Sequence, residues 1–237
     1  TEMDFDAALE FAASIEIFNA DRKELDKKIT NQAIIQIIDN EEEEGFSTVV
    51  FKEDWHKGVL GIVASRLIEK YYRPTLVFTK SGDKLAASAR SVKGIDVYNA
   101  LHECEEFIEQ FGGHKYAAGL TLLPENYTNF KNKFEKVVER TIDKKLLTPE
   151  ISVDVELDLS EITPRFFRII QQMAPFGPMN MKPTFTSTCV RDNGYGKQVG
   201  TDKKHLKLNV FQGDNKKTYN AIGFNLGNKM ELVNINV

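Results

Sequence analysis

Cysteine is nearly missing from this chain, with two residues in 237. That excludes a disulfide framework, and four histidines without paired ligand spacing leave no local zinc motif. No stretch approaches the ~18 consecutive apolar residues of a membrane span. The start, Thr1-Glu2-Met3-Asp4, lacks the basic-then-apolar order of a signal peptide. A Walker loop, a Gly-x-Ser-x-Gly elbow and a dinucleotide fingerprint are also missing, as is a dense Asp and His set that would cage two metal ions. Simple readings as a secreted scaffold, a membrane protein, a nucleotide-loop enzyme or a serine hydrolase therefore fall away, and a reducing cytoplasm is the expected compartment. Position 1 is Thr rather than Met, which reads as a piece cut from a longer protein.

What is present supports a packed core, with 41% hydrophobic and 28% charged residues. The length allows one large domain or two ordinary ones. The net charge of −4 averages two unlike parts. Residues 1–150 hold 20 Lys and Arg against 27 Asp and Glu, whereas residues 151–237 hold 11 against 8. A basic second part is what a partner of polyanions needs, and a solvated surface produces the same excess.

From Phe5 to Ile38 apolar residues recur at helical spacing with no Gly or Pro between them, so one helix, or two joined near Asn19-Ala20-Asp21, is expected. The acidic run Glu41–Glu44 before Gly45 reads as a solvated turn. The texture then changes to strands alternating with helices, the signature of an α/β layer structure. Strands are expected at Ser47–Phe51, Thr75–Phe78, Lys84–Arg90 and Tyr116–Leu122. Helices are expected over Val59–Tyr72, from an Asp96 cap through Phe111 to a left-handed Gly112, and over Asn126–Lys145. Thr148-Pro149-Glu150 is the expected boundary. Beyond it Ile151–Leu157 alternates as a half-buried strand, a short helix follows at Pro164–Met173, and a Pro- and Gly-containing connector spans Ala174–Pro183. Strands near Thr184–Val190, His205–Gln212 and Thr218–Phe224 suggest a small barrel.

Three stretches carry candidate chemistry. In Trp55-His56-Lys57-Gly58 a His-Lys-Gly sits where a helix begins, and free backbone N–H groups there attract anions. The alternative is that His56 caps the helix and Gly58 starts it. Ala87-Ser88-Ala89-Arg90-Ser91 brings small residues up to one Arg at a strand end, fitted to a phosphate or, equally, to a surface acid. Phe111-Gly112-Gly113-His114-Lys115, followed by Ala117-Ala118-Gly119, reads as a tight turn. It presents backbone donors and an imidazole able to bind a phosphate oxygen or move a proton.

Taken together and in this order, the three stretches resemble the RecJ family of bacterial single-stranded-DNA-specific exonucleases, within the DHH phosphoesterases. Trp55-His56-Lys57-Gly58 with Gly61–Leu67 is similar to the opening of the DHH-associated domain, and Ser88–Ser91 and Phe111–Lys115 are similar to its later motifs. Ala174-Pro175-Phe176-Gly177-Pro178, His205-Leu206-Lys207 and Ala221–Phe224 resemble the OB-fold domain that follows; the connector departs from the family pattern at Met179-Asn180-Met181. The resemblance implies an α/β DHH-associated domain with a mixed sheet flanked by helices at 45–147. A connector helix at 1–44 would precede it, and an OB-like β-barrel at 148–237, stopping before its final strands, would follow.

It further implies the substrate-binding portion of a 5′-to-3′ exonuclease of DNA repair and recombination, inactive alone. The Mn²⁺ or Mg²⁺ ions would be held by a catalytic DHH domain absent from this sequence. Single-stranded DNA is the implied partner, with a single-strand-binding protein as a further one and no membrane. His114 would stabilise developing charge or contact phosphate. His56, Lys57, Ser88, Arg90, Gly112, Gly113 and Lys115 would grip the strand in the first domain, and Lys203, Lys204 and Lys207 in the second. No metal ligand is implied in this chain. Two alternatives remain at this point, a phosphodiesterase of short oligonucleotides or cyclic dinucleotides, and a non-catalytic single-strand-binding module.

Overall fold

A computed structural model describes residues 5–143, 148, 150–214 and 217–233. The chain divides into two compact units, Thr1–Pro149 and Glu150–Val237. The first unit opens with one unbroken helix, α1 (Phe5–Asp39), with no restart at Asn19-Ala20-Asp21. Its second half buries Ile29, Ala33 and Ile37 against α2 (Leu60–Tyr71), whereas Phe5, Leu9, Phe11, Ile15 and Phe18 in its first half are exposed. Asp26 fixes the crossing of the two helices. Its fully buried carboxylate lies 2.6 Å from Arg66 of α2 and 3.3 Å from Arg22 of α1.

Strands β1 (Thr48–Phe51), β2 (Thr75–Ser81), β3 (Lys84–Arg90), β4 (Gln110–His114) and β5 (Ala117–Leu122) form one mixed sheet in the order β1-β2-β3-β5-β4. Only β1 and β2 run parallel; the helix α2 between them makes the crossover that parallel neighbours need. β2-β3 and β4-β5 are antiparallel hairpins. One face carries α1 and α2 over Val50 and Val77. The other carries α3 (Val97–His102) and α4 (Tyr127–Thr141) over Leu76, Phe78, Leu85 and Leu120. Fully buried Phe78, Phe130 and Phe134 anchor that layer, each burial contributing roughly 1.5–3 kcal/mol. The backbone of the acidic turn is held rather than merely solvated, since buried Arg73 donates to the carbonyls of Glu42, Glu43 and Gly45.

Two expectations for this unit need correction. The helix capped by Asp96 ends at His102 instead of Phe111, and Glu105–Phe107 forms a short 3-10 turn. The glycine pair therefore lies within edge strand β4, and Gly113 rather than Gly112 takes a positive φ, of 149°. The cause is local. β-branched and aromatic Ile108 and Phe111 suit a strand, and Phe111 packs against Tyr98 of α3 with ring centroids 5.4 Å apart. At the end of α4, Lys144 and Lys145 lie outside the described residues, as does Pro149 of the expected boundary.

In the second unit Ile151–Leu157 does not form the expected long strand. Only β6 (Val155–Glu156) pairs, parallel to β7 (Phe185–Thr186), and of the alternating apolar residues only Leu157 is buried. Helix α5 (Pro164–Gln172) is capped by Thr163 and packs Phe166 on Phe185. The expected Thr184–Val190 strand splits into β7 and β8 (Val190–Asp192), with Cys189 between them at φ 54°. Long β10 (His205–Gln212) is central and pairs antiparallel with β8, β9 (Lys197–Val199) and β11 (Tyr219–Gly223). A short helix, α6 (Met230–Val233), follows. In the connector, Asn180 closes the turn through paired backbone bonds with Gly177 and side-chain bonds to the Met173 and Pro175 carbonyls. The departure at Met179-Asn180-Met181 thus has its own turn chemistry.

Candidate functional site

The first unit's candidate residues come together on one face of the sheet. Side chains in register on neighbouring antiparallel strands point the same way. Arg90, Ala117 and His114 form one row across β3, β5 and β4; Ser88, Gly119 and Gly112 form the next; Ala86, Thr121 and Gln110 form a third. This is the α2 face, and α2 packs chiefly on β2 and β3. The uncovered part is a cleft of about 410 Å³, lined by Lys57, Ser88, Gln110, Gly112, Gly119 and Thr121. Arg90 and His114 stand one row beyond it, about 10 Å apart at two strand spacings.

Two neighbouring positions in this cleft, Gly112 and Gly119, are bare backbone. A Cβ at Gly112 would meet nothing within 4 Å, and one at Gly119 only the Ala87 carbonyl oxygen at 3.8 Å. Protein packing does not require glycine at either position, and glycine weakens a strand. Gly113 is different, because a Cβ there would lie 2.3 Å from the Ala117 carbonyl oxygen. Gly113 builds the hairpin, and Gly112 and Gly119 keep its surface open.

His114 and His56 share one arrangement. The Tyr116 backbone N–H donates to His114 Nδ1 at 3.3 Å, and the Gly58 N–H donates to His56 Nδ1 at 3.1 Å. A neutral imidazole accepting at Nδ1 carries its proton on Nε2, so each ring presents a donor outward. His56 thus caps the 3-10 turn Lys57–Val59 that leads into α2 and keeps its second nitrogen available. The tip that holds His114 is tied to the chain between β3 and α3. Ser91 N–H donates to the Tyr116 carbonyl and Val97 N–H to the Lys115 carbonyl, both at 3.0 Å. Lys115 is exposed on that tip, its Nζ 5.6 Å from the Tyr116 ring centroid. Arg90 is half-buried and donates to the Ala89 carbonyl at 2.8 Å. Among the described residues no carboxylate pairs with it, so the surface-acid alternative is not what its surroundings provide.

The second unit separates its candidate lysines. Lys207 stands opposite Lys197 in a cleft of about 410 Å³ with Tyr195, Asn209 and Asn220. Asp192 fixes the loop that presents Tyr195, accepting from the backbone N–H groups of Gly194, Gly196 and Asn209, each at 2.9 Å. Lys203 and Lys204 line a different cleft with Gln198 and Asn225, and Lys204 pairs with Asp202 at 3.3 Å. Phe211 is half-buried in β10, Lys217 lies 4.9 Å from the Tyr219 ring, and Lys216 falls outside the described residues. Sequence reasoning missed Gln110, Thr121 and the Ser91 and Val97 tethers. The first two had a signal in the period-two pattern of the strands, whereas backbone tethers leave none.

Among the described residues no group of three or more His, Cys, Asp and Glu could hold a metal ion, and no helix is long and apolar enough to cross a membrane. His102 is exposed and pairs with Glu105, while Cys104 beside it is buried.

Residues 31–140 match the family model for the DHHA1 domain, and residues 153–236 match that for the RecJ OB domain. The chain belongs to the RecJ family. Similar members are the single-stranded-DNA-specific exonucleases RecJ of Bacillus subtilis and Haemophilus influenzae, each 30% identical. Both alignments cover 94% of this chain, but 28% and 40% of those proteins respectively. The chain therefore spans well under half the length of these RecJ relatives. The crystal structure of Thermus thermophilus RecJ in complex with Mg²⁺ shares the fold, with a TM-score of 0.75 at 23% identity over 94% of this chain and 35% of that one. The α/β unit with its mixed sheet is thus a DHH-associated domain, and an OB domain of the RecJ type follows it.

Proposed function

We propose that this chain is the strand-gripping portion of a single-stranded-DNA-specific exonuclease that digests 5′ to 3′ and serves repair and recombination. The observation that carries the reading is the shared face of Arg90 and His114, next to a glycine-floored cleft with Lys57 and Ser88 at its wall. A phosphodiester backbone suits that surface. Arg90 offers a planar fork to a phosphate, His114 and His56 offer neutral donors, and the bare strands let the chain lie close. His114 is the residue assigned to charge developing on the reacting phosphate. In the OB unit Lys207, Lys203 and Lys204 meet phosphates, and Tyr195 serves as a stacking surface.

Hydrolysis itself would use Mg²⁺ or Mn²⁺ held by a preceding DHH domain. The described residues do not fit such ions, and this chain's part is to bind and orient the strand. The OB unit favours long single strands over cyclic dinucleotides. Single-strand-binding protein is the proposed protein partner. Two free cysteines, one of them exposed, accord with a reducing cytoplasm.

The test is His114→Ala in the full-length protein that carries this chain. Turnover on single-stranded DNA should fall at least about 100-fold with the protein still folded; unchanged turnover rejects the role.

A further inference from the structure

We infer that Gly61 is a positioning residue for Arg90, its missing side chain forming the seat in which the guanidinium lies. This rests on the reading of Arg90 as a phosphate contact. Gly61 is the second residue of α2, where alanine is the better helix former. A glycine there calls for a neighbour that needs the space. A Cβ built on Gly61 would stand 2.5 Å from Arg90 Nη2, 3.2 Å from Cζ and 3.6 Å from Nη1, so the three nearest atoms all belong to one guanidinium. The guanidinium of Arg90 thus occupies the space beside Gly61 with Nη2 nearest, while Nη1 donates to the Ala89 carbonyl.

These contacts fix the guanidinium at the height of the row that His114 completes. Any side chain on Gly61 lifts Arg90 off the helix. Because the atoms displaced are the far end of a flexible side chain, the fold can absorb the change while the fork loses its direction. The same turn repeats the device. A Cβ on Gly58 would lie 2.9 Å from His56 Cε1, so each glycine of this segment gives room to one anion-facing side chain.

The experiment compares Gly61→Ala, Arg90→Ala and the double variant of this chain. One readout is anisotropy of a fluorescein-labelled single-stranded dT 20-mer at low salt; the other is the Arg90 Nε–H NMR signal, assigned by its loss in Arg90→Ala. Gly61→Ala should keep a cooperative melt, move the Arg90 signal and weaken binding about tenfold or more. In the Arg90→Ala background it should add less than about twofold, because the two act through one contact. An unmoved Arg90 signal, or losses that multiply in the double variant, overturns the proposal. If Arg90→Ala leaves binding intact while the signal still moves, the seat stands and the phosphate reading of Arg90 falls instead. Should Gly61→Ala fail to fold, the double variant decides. Recovery of folding once the guanidinium is gone supports the seat, and failure of both overturns it.

Discussion

Arg90 and His114 stand opposite the same residue, Ala117, from the two sides of β5. Two groups 24 positions apart in sequence thereby share one row on one face. In Arg90→Ala, binding of a single-stranded oligonucleotide should weaken and the slope of log K against log salt should fall by about 0.7, one phosphate's worth of released counterions. His114→Ala should weaken binding through the loss of one hydrogen-bond donor beside Arg90. Titrations at several salt concentrations measure both, and equal slopes in all three proteins would remove Arg90 from the phosphate path.

The three glycines of the hairpin should separate cleanly under substitution. Gly113→Ala places a methyl group into backbone at a positive φ, which should cost at least about 2 kcal/mol in urea unfolding. Gly112→Ala and Gly119→Ala meet open space or an ordinary contact and should leave stability within about 0.5 kcal/mol, yet reduce oligonucleotide affinity by filling the cleft. Full affinity in both would show that nothing lies on that floor.

Alkali should weaken the first unit before it affects any surface charge pair. Burial pushes the Cys104 thiol up to about 12 and raises the Tyr127 phenol as well. Their unfolded counterparts lose protons near ~8.5 and ~10. Above about pH 8.5 the unfolded chain therefore binds fewer protons than the folded one, and stability falls as pH rises toward 12; below that pH the contribution is fully present. Cys104→Ala should flatten the lower part of this decline, measured by urea midpoints at pH 8 and pH 10.5.

Among the described residues Asp26 is the one carboxylate buried between α1 and α2, and its Oδ1 meets Arg66 as an ion pair rather than an aligned hydrogen bond. Asp26→Ala leaves Arg22 and Arg66 close together without their counter-charge. Both guanidinium groups keep partial access to water, so the expected loss is about 2 kcal/mol rather than the larger cost of a fully buried pair. Thermal melting checks it, and an unchanged midpoint would make the pair ornamental.

Much of the first unit was legible because its strands are short apolar runs and its helices carry clear faces. The stop of α3 at His102 was not, since Glu103–Ile108 keeps helical composition and the strand is selected by pairing with β5 and by packing of Phe111 on Tyr98. That single misplacement turned a strand glycine into an expected helix cap. Arg90 and Ser88 could be assigned one face from alternation within β3. Their alignment with Gly112 and His114 depends on the β3-β5-β4 order, which pairs residues distant in sequence. In the second unit Ile151–Leu157 shows the opposite failure. Its period-two pattern is real, yet only two residues find a partner strand, because alternation describes a strand's faces and not its neighbours.

The bond from Ser91 to the Tyr116 carbonyl has a mechanical result. Ser91 follows Arg90 directly, and Tyr116 lies two residues past His114, so a single stitch joins the two jaws of the row. It adds to the ladders that already pair both residues with Ala117, so the gauge between arginine and imidazole is set by main-chain bonds and not by the reach of either side chain.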